Sequence, residues 1–180
     1  MAMGLVFETH ATSEDNERGV ATGWLPGRLS EVGRQQAREL GGRRRGDNLA
    51  AVFCSDLARA VETAAIAFGD TDIPVLCDWR LRECNYGLRN GTPASQLRRR
   101  EHLDVPYPEG ESWRHAVERV DWFLDDLARR WADRRVLLIG HTATRWALDH
   151  LLDGIPLERL VEGDFTWRPG WEYRLDRAGR

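Results

Sequence analysis

The chain has 180 residues, of which 42% are hydrophobic and 31% are charged, a composition typical of a globular domain and not of a disordered chain. Its formal net charge of −3 gives no overall positive field, so a nucleic-acid-binding protein is not expected. The apolar run at residues 1–7 is too short to cross a membrane and lacks the basic flank of a signal peptide, so no membrane association is expected either.

The three cysteines, Cys54, Cys77 and Cys84, are odd in number and have no C-x-x-C spacing. This pattern favours reduced thiols in a cytoplasmic protein and argues against a structural zinc site. A chain of this length buries roughly 70% of the surface that it exposes when unfolded, so it needs neither metal nor disulfides to fold. Because no repeat or linker divides the sequence, residues 1–180 are predicted to form a single domain.

Apolar segments of strand length alternate along the chain with amphipathic segments of helix length. Strands are predicted at residues 4–9, 50–54, 73–77 and 135–139, helices at 30–40, 56–68, 111–131 and 142–152, and irregular segments at 22–28 and 86–107. Strands separated by helices pair in parallel and carry helices on both faces. The predicted fold class is therefore a three-layer α/β sandwich with a mostly parallel central sheet.

Capping and turn residues predict where these elements begin and end. Ser30 and Ser55 are suitable N-caps for the helices that follow them, and Gly41 and Gly42 are predicted to end the first of these helices. A Pro-Gly turn predicts a hairpin of residues 165–167 and 171–175, which would add an antiparallel edge strand. The predicted buried faces comprise Leu57, Val61, Ala64, Ala65 and Phe68 in the helix at 56–68, and Val117, Val120, Phe123, Leu124 and Leu127 in the helix at 111–131.

Four side chains that could take part in catalysis are predicted to meet at the carboxyl edge of the sheet, where open α/β sheets bind their ligands. His10 and His141 each follow a buried strand directly. Arg59 lies in the first turn of the helix after the second strand, and Glu83 comes shortly after the third strand. The remaining histidines, His102, His115 and His150, have no such neighbours and are interpreted as structural.

This combination of residues fits phosphoryl transfer. A neutral His10 imidazole can attack phosphorus, and the resulting phosphohistidine divides one difficult step into two easier ones. Arg59 would bind two phosphate oxygens, while Glu83 would protonate the leaving alkoxide and then accept a proton from water. His141, protonated beside the anion, and the N–H groups of the helix that begins near Thr142 would add positive potential. No metal or cofactor is required by this chemistry.

Two arginine runs stand out in an otherwise acidic chain. Runs of like charge usually lie on solvated surfaces, so both are interpreted as solvated helix ends or loops. They comprise Arg43, Arg44 and Arg45, and Arg98, Arg99 and Arg100.

Short motifs follow one another in a fixed order along the chain. They read E-T-H-A-T-S-E-D-N at 8–16, T-G-W at 22–24, L-S-E-V-G at 29–33, S-D-L-A-R-A-V-E-T-A at 55–64, R-L-R-E-C-N-Y-G at 80–87, G-E-S at 110–112 and G-H-T-A at 140–143. Each motif is weak alone, but the order is specific. Over residues 4–152 the sequence resembles the histidine phosphatase superfamily, the group that contains the cofactor-dependent phosphoglycerate mutases.

The resemblance implies the α/β fold of that family, metal-free phosphohistidine chemistry and a small phosphorylated substrate. It aligns His10 with the nucleophile, Arg59 with the phosphate-binding arginine and Glu83 with the acid/base residue. It also aligns Asn16 with an asparagine that contacts phosphate. The predicted substrate-binding residues are Thr9, Asn16, Thr22, Gly23, Tyr86 and Thr142.

The chain departs from the family pattern beside the nucleophile. Thr9 stands where the family has an arginine, and Ala11 stands where it has a glycine. Losing one charge-assisted contact to the transition state typically costs about 3 kcal/mol. Arg18, in the segment after the nucleophile, is the candidate for a substitute cation.

A second departure bears on the type of reaction. The mutases have an arginine directly after the acid residue, where this chain has Cys84, and the chain is short for the insertions that seal a mutase site from water. A phosphatase acting on a small phosphorylated metabolite is therefore the favoured prediction. A phosphoglycerate-type mutase stays as one alternative. The other is an impaired pseudoenzyme that binds a phosphorylated ligand, suggested by Thr9. The sequence leaves a homodimer open.

Overall fold

A mostly parallel β-sheet forms the centre of the fold in the computed structural model, which describes residues 3–176. The strands are β1 Met3–Thr9, β2 Val20–Ala21, β3 Ala51–Cys54, β4 Val75–Cys77, β5 Thr92–Pro93, β6 Arg135–Gly140 and β7 Trp171–Leu175. Within the described residues, five strands form a sheet of order β4-β3-β6-β1-β7, parallel except for the pair β1–β7, and β2 pairs with β5. The predicted fold class is confirmed. Residues 1–2 and 177–180 of the predicted domain lie outside the described range.

Helices cover both faces of this sheet. They are α1 Glu14–Glu17, α2 Glu31–Arg44, α3 Ala58–Phe68, α4 Trp113–Arg130, α5 Thr142–Asp153 and α6 Leu157–Glu162. Val6 of β1 packs in the cluster that contains Leu40 of α2 and Phe68 of α3. Its neighbour Phe7 packs in the other cluster, which contains Phe123 of α4. Successive strand residues point to opposite faces, so α2 and α3 lie on one side and α4 and α5 on the other.

The pairing of β1 with β6 determines where the two predicted site histidines lie. Thr9 at the end of β1 is in register with Gly140 at the end of β6. The His10 N–H donates to the Gly140 carbonyl oxygen at 2.9 Å, which extends the ladder by one bond. Because the two strands run parallel and end at the same level, His10 and His141 leave the sheet side by side at its carboxyl edge.

Helix α2 does not stop at the glycines predicted to end it, so that prediction is wrong. Ser30 caps the helix as expected, since its Oγ accepts from the Gly33 N–H at 3.1 Å, but the helix then continues through Gly41 and Gly42 to Arg44. A Cβ at Gly41 would lie 2.5 Å from the carbonyl oxygen of Ala67 in α3. Glycine at this position therefore serves the close packing of two helices and not helix termination.

Helix α3 begins later than predicted. Leu57 is its N-cap, and the Ser55 Oγ accepts from the Leu57 N–H at 3.1 Å instead of capping the helix. The predicted buried face is wrong at Val61 and Ala65, which are exposed because Arg59, on the opposite side of the helix, turns toward the sheet edge. The buried residues of α3 are Arg59, Ala60, Thr63, Ala64, Ala67 and Phe68.

Helix α4 has the buried face that the sequence predicts. Val117, Val120, Phe123, Leu124 and Leu127 are all buried against the sheet. None of the helices within residues 3–176 is both long enough and apolar enough to cross a lipid bilayer.

The predicted C-terminal hairpin is wrong, although its second half is a strand. β7 takes the antiparallel edge position expected of the hairpin, but its partner is β1. Residues 165–167 form no strand. The Phe165 ring instead packs against Trp171, with 5.9 Å between ring centroids. The backbone of β7 already forms its strand hydrogen bonds with β1 and needs no hairpin partner. The segment before it instead lies at the carboxyl edge of the sheet, where Phe165 lines a cavity.

The interpretation of the first arginine run as a solvated helix end is wrong. Arg43 and Arg44 lie in the last turn of α2 and donate to the buried carboxylate of Glu8 in β1, at 3.2 and 2.8 Å. The Arg45 Nε donates to the Ala67 carbonyl oxygen at 2.8 Å. These contacts join the end of α2 to the sheet and to α3, so the run is structural.

Candidate active site

A cavity of about 360 Å³ opens at the carboxyl edge of the sheet, at the place that the sequence predicts. Its wall contains His10 after β1, Arg59 from the first turn of α3, and Glu83 from the turn between β4 and β5. His141 is buried behind His10, with 4.9 Å between the ring centroids. The predicted substrate-binding residues that line the cavity are Asn16, Thr22, Gly23, Tyr86 and Thr142.

His10 is held in one tautomer by its neighbours. Its Nδ1 lies 2.7 Å from the carbonyl oxygen of Ala11, and because a carbonyl oxygen only accepts, Nδ1 carries the proton. The Nε2 lone pair then accepts from the Arg59 Nε at 3.3 Å. Burial, reinforced by the Arg59 charge, lowers the pKa of His10 to about 3. At neutral pH the ring is therefore uncharged, with its basic nitrogen on the side of Arg59.

Arg59 is 3% exposed and only partly satisfied. Its Nη2 donates to the Gly23 carbonyl oxygen at 2.9 Å, whereas its Nη1 is buried and has no partner among residues 3–176. Thr63, one turn further along α3, donates to the Arg59 carbonyl oxygen and accepts from the Ala11 N–H at 3.0 Å. The helix thus holds both the guanidinium and the backbone after His10, and leaves one N–H edge of the guanidinium for a ligand.

His141 stands directly after β6 as the N-cap of α5. Neither of its ring nitrogens has a hydrogen-bond partner in the part of the chain that the structure describes. Burial lowers its pKa well below the usual range, and the charge of Arg59 and the neighbouring His10 act in the same direction. Among the protein groups alone His141 is therefore neutral. That it is protonated beside a bound anion stays a prediction, because the charge of the anion would raise its pKa.

Glu83 is fixed by two backbone donors. Its Oε1 accepts from the N–H of Cys84 at 2.9 Å and from the N–H of Ala143, in the first turn of α5, at 3.0 Å. Burial raises the pKa of this carboxyl, although these hydrogen bonds and the charge of Arg59 oppose the rise. The group is thus a carboxyl whose proton is retained to higher pH than in water, as a general acid requires.

The residues on either side of β2 form one wall of the cavity. Thr22 donates to the Asp15 carboxylate at 2.7 Å, and the Asn16 Oδ1 accepts from the Ser13 N–H at 2.9 Å. Gly23 has a φ of +56°, and a Cβ there would lie 1.8 Å from the Asn90 Oδ1. Only glycine fits this conformation and this space, and the turn aims the Gly23 carbonyl at Arg59.

Thr9 is the predicted substrate-binding residue that the structure does not place in the cavity wall. Its Oγ1 is buried and has no partner among the described residues. A threonine side chain is too short to replace the family arginine from the strand itself. If the positive charge of the family arginine is replaced in this chain, the replacing side chain must come from another segment.

Arg18, predicted to fill that gap, is directed away from the site. Its side chain is 66% exposed and pairs with Asp15 at 2.5 Å on the outer side of α1. It does not line the cavity formed by the described residues. The prediction that Arg18 replaces the family arginine is therefore wrong, because the short helix α1 turns this side chain outward.

Arg99 is a charged cavity residue that was not predicted for the site. It lies in the 3₁₀ helix Arg99–His102, lines the cavity and has its guanidinium 5.3 Å from the centroid of the Trp146 ring. Its neighbours Arg98 and Arg100 point outward, so the interpretation of this run as solvated is correct for two of its three members. The sequence offers no signal that selects the middle arginine, since its direction depends on packing against α5.

Comparison with known proteins identifies the family of this chain. A sequence profile of the histidine phosphatase superfamily (branch 1) matches residues 5–166. A 2,3-bisphosphoglycerate-dependent phosphoglycerate mutase of Methylobacterium sp. (strain 4-46) is 34% identical over 173 residues, which cover 87% of this chain and 83% of that relative.

Solved structures share the fold closely. The YhfR protein of Bacillus stearothermophilus superposes with a TM-score of 0.85 at 27% identity, over 95% of this chain and 90% of that one. A mycobacterial glucosyl-3-phosphoglycerate phosphatase in complex with VO3 gives 0.78 at 27% identity, over 88% and 86% of the two chains. The profile match spans most of the chain, and the named relative is more than 30% identical over most of both chains. The chain therefore belongs to the histidine phosphatase superfamily.

Proposed function

We propose that this chain is a phosphatase that hydrolyses a small phosphorylated metabolite through a phosphohistidine on His10. The observation that carries the proposal is the state of His10 in the cavity. Its ring is neutral, its Nδ1 proton is held by a carbonyl oxygen, and its Nε2 lies beside a guanidinium that still has a free donor edge. A nucleophile for phosphorus needs this combination of an available lone pair and a cation to receive the phosphate charge.

In the first step, the Nε2 lone pair of His10 forms a bond to phosphorus as the bond from phosphorus to the ester oxygen breaks. The free Nη1 of Arg59 and the one N–H group of the neutral His141 ring, whose nitrogens have no partner among residues 3–176, are the donors available to the phosphoryl oxygens. The leaving alkoxide takes the proton of Glu83, whose raised pKa favours the protonated form. The step leaves a phosphohistidine, an alcohol and an ionised Glu83.

In the second step, a water molecule attacks the same phosphorus atom. Ionised Glu83 accepts a proton from that water as the new phosphorus–oxygen bond forms. The bond from phosphorus to Nε2 breaks, and its electron pair returns to the imidazole. Inorganic phosphate leaves, and His10 and Glu83 regain their starting states.

A phosphoglycerate-type mutase is the second candidate, and one observation favours it. Arg99 offers a second cation in the cavity wall besides Arg59, and its pairing with the exposed carboxylate of Asp164 is long, at 4.0 Å. Such a cation suits a substrate with a second anionic group such as a carboxylate. Cys84, at the position of the mutase arginine, is buried and does not line the cavity. Incubation with phosphoglycerate and 2,3-bisphosphoglycerate distinguishes the two: isomerisation without release of inorganic phosphate supports the mutase, and phosphate release supports the phosphatase.

The phosphohistidine itself provides the direct test. Enzyme quenched during turnover of a radiolabelled phosphate ester should carry phosphate that is labile in acid and stable in base. His10→Ala should carry none, while His150→Ala, a matched histidine on α5 that binds the Ile155 carbonyl oxygen, should label normally. Turnover that persists in His10→Ala would exclude the mechanism.

The mechanism assigns no step to a metal. Within residues 3–176 no group of three or more His, Cys, Asp or Glu side chains is arranged to hold a metal ion. Activity should therefore survive exhaustive treatment with EDTA. A complete loss that a divalent cation restores would show that a metal takes part.

A further inference from the structure

The backbone turn that carries Glu83 is wrapped around a single buried guanidinium. Arg119, on α4, is 3% exposed. Its Nη1 donates to the carbonyl oxygens of Arg80 and Arg82 at 2.7 and 2.8 Å, and its Nη2 donates to the carbonyl oxygen of Glu83 at 2.9 Å. Three carbonyls from four successive residues thus converge on one side chain.

The guanidinium is itself fixed on its other side. Glu111 receives a bidentate contact from Arg119, at 2.9 Å from Nε to Oε1 and 2.9 Å from Nη2 to Oε2. The same carboxylate accepts from the Asn85 N–H at 3.2 Å, and the Glu111 N–H donates to the Asn85 carbonyl oxygen at 2.9 Å. The ion pair therefore contacts the backbone of the turn on both sides of Glu83, through Arg119 before it and through Glu111 after it.

Two further side chains complete the hold on this turn. The Trp24 Nε1 donates to the Glu83 carbonyl oxygen at 2.6 Å, beside the Arg119 contact. The Leu81 carbonyl, which points the opposite way, accepts from the Thr144 hydroxyl of α5 at 2.8 Å. That hydroxyl also accepts from the His141 N–H at 3.1 Å. The turn is thus located relative to both α4 and α5.

We propose that Arg119 is the positioning residue for Glu83, because its planar fork fixes the turn from which the Glu83 carboxyl enters the cavity. The inference rests on the proposed role of Glu83 as general acid. A buried ion pair is often no more stabilising than apolar packing. Here an apolar side chain would leave the carbonyl oxygens of Arg80 and Arg82 without their donor, and a point charge such as lysine could not reach all three carbonyls at once.

The test compares Arg119→Lys with Glu83→Gln and with the double variant, on an alkyl phosphate and on p-nitrophenyl phosphate. An aryl leaving group needs little protonation, so a displaced Glu83 should slow formation of the phosphohistidine, the step that kcat/KM reports, only for the alkyl ester. Arg119→Lys should lower kcat/KM for the alkyl phosphate roughly ten- to a hundredfold and should leave kcat/KM for the aryl ester almost unaffected. In the Glu83→Gln background, the same substitution should have little further effect on either ester.

Matched controls separate positioning from general damage. Arg114→Lys makes the same exchange on α4, at a residue paired with Asp104 outside the cavity, and should leave both substrates unchanged. Arg119→Lys keeps the positive charge, so the pH at which activity falls should stay in place. If Arg119→Lys does not fold, Glu111→Gln replaces it and should give the same loss confined to the alkyl ester.

The outcomes are distinct. Equal losses of kcat/KM on both esters, or the same fold-loss with and without Glu83, would overturn the positioning role of Arg119. A Glu83→Gln variant that lowers kcat/KM equally for both esters would instead overturn the proposed function of Glu83 as general acid.

Discussion

The two most deeply buried arginines of the site region are used in opposite ways. Arg59 and Arg119 are each 3% exposed. Arg119 is fully engaged, with a carboxylate on one side and three carbonyl oxygens on the other. Arg59 has no carboxylate within hydrogen-bonding distance among the described residues, and its Nη1 is unpaired. The Arg119 guanidinium therefore has protein acceptors on both sides, whereas the Arg59 guanidinium keeps one N–H edge without an acceptor among the described residues.

This difference indicates how the protein divides stability from activity. A buried charge without its counter-ion weakens the folded state, and such groups are expected at sites where a ligand supplies the missing charge. Burial lowers the pKa of Arg59, which reflects the same lack of compensation, although a guanidinium keeps its proton at any physiological pH. The comparison therefore predicts that substitutions of the two residues affect different properties.

The largest effect is expected on activity, from Arg59. Arg59→Ala should lower kcat/KM by about a thousandfold, equivalent to roughly 4 kcal/mol of lost transition-state stabilisation. Arg34→Ala, which removes a surface arginine paired with Glu62, is the control and should keep wild-type kinetics. Steady-state rates on one phosphate ester suffice. A loss of less than tenfold would mean that Arg59 does not bear the phosphate charge.

The second effect is expected on stability, from Arg119. Arg119→Met should lower the free energy of unfolding by about 3 kcal/mol, because it leaves the Glu111 carboxylate and the turn carbonyls without their partner. Arg59→Met should change it by less than about 1 kcal/mol, because no carboxylate loses its partner. Urea unfolding of both variants measures the difference. Equal destabilisation would remove the contrast between the two arginines.

The third effect concerns pH and the Glu83 carboxyl, whose pKa the charges of both arginines lower. Burial raises the pKa of Glu83 above its ordinary value of 4.5, while Arg59 and, more weakly, Arg119 oppose the rise. Because the acid must be protonated, kcat/KM for an alkyl phosphate should fall about tenfold for each pH unit above that pKa. The fall should be absent from Glu83→Gln and present in Arg119→Lys. An identical profile in Glu83→Gln would assign the fall to another group.

The smallest effect is expected from Arg99, whose side chain is 30% exposed. Arg99→Gln should raise KM roughly fivefold, about 1 kcal/mol, with kcat unchanged, because a partly solvated contact to the body of the substrate is weak and equal in ground and transition states. Arg98→Gln, the outward-facing neighbour, is the matched control. An unchanged KM in Arg99→Gln would leave the substrate without a second cationic contact.

The sequence predicts the sheet and the position of the site well, for a physical reason. Apolar runs and their flanking residues determine strands locally, and the parallel fold then brings every strand end to one edge. His10 and His141 could be located because each is the first residue after a strand, where direction is set by the backbone. Arg59 could be located because the first turn of its helix begins at the same edge.

Side-chain direction outside those strand ends could not be predicted. Whether Arg18 or Arg99 enters the cavity depends on the short helix α1 and on packing against Trp146, neither of which leaves a periodic signal. Gly41 was misinterpreted for a related reason. A glycine that stops a helix and one that admits a neighbouring helix are identical in sequence, and only the approach of Ala67 distinguishes them.

The pairing of β1 with β6 also has a consequence for when activity arises during synthesis. The ribosome makes β1, at Met3–Thr9, long before β6, at Arg135–Gly140. Contacts between segments so distant in sequence form late, because the intervening chain loses conformational entropy before the hydrogen bonds between the strands can compensate for that loss. A nascent or truncated chain that ends before β6 contains His10 without His141 and without the bond that holds the His10 backbone. Such fragments should be inert toward phosphate esters, so we expect activity only after β6 and His141 have been made.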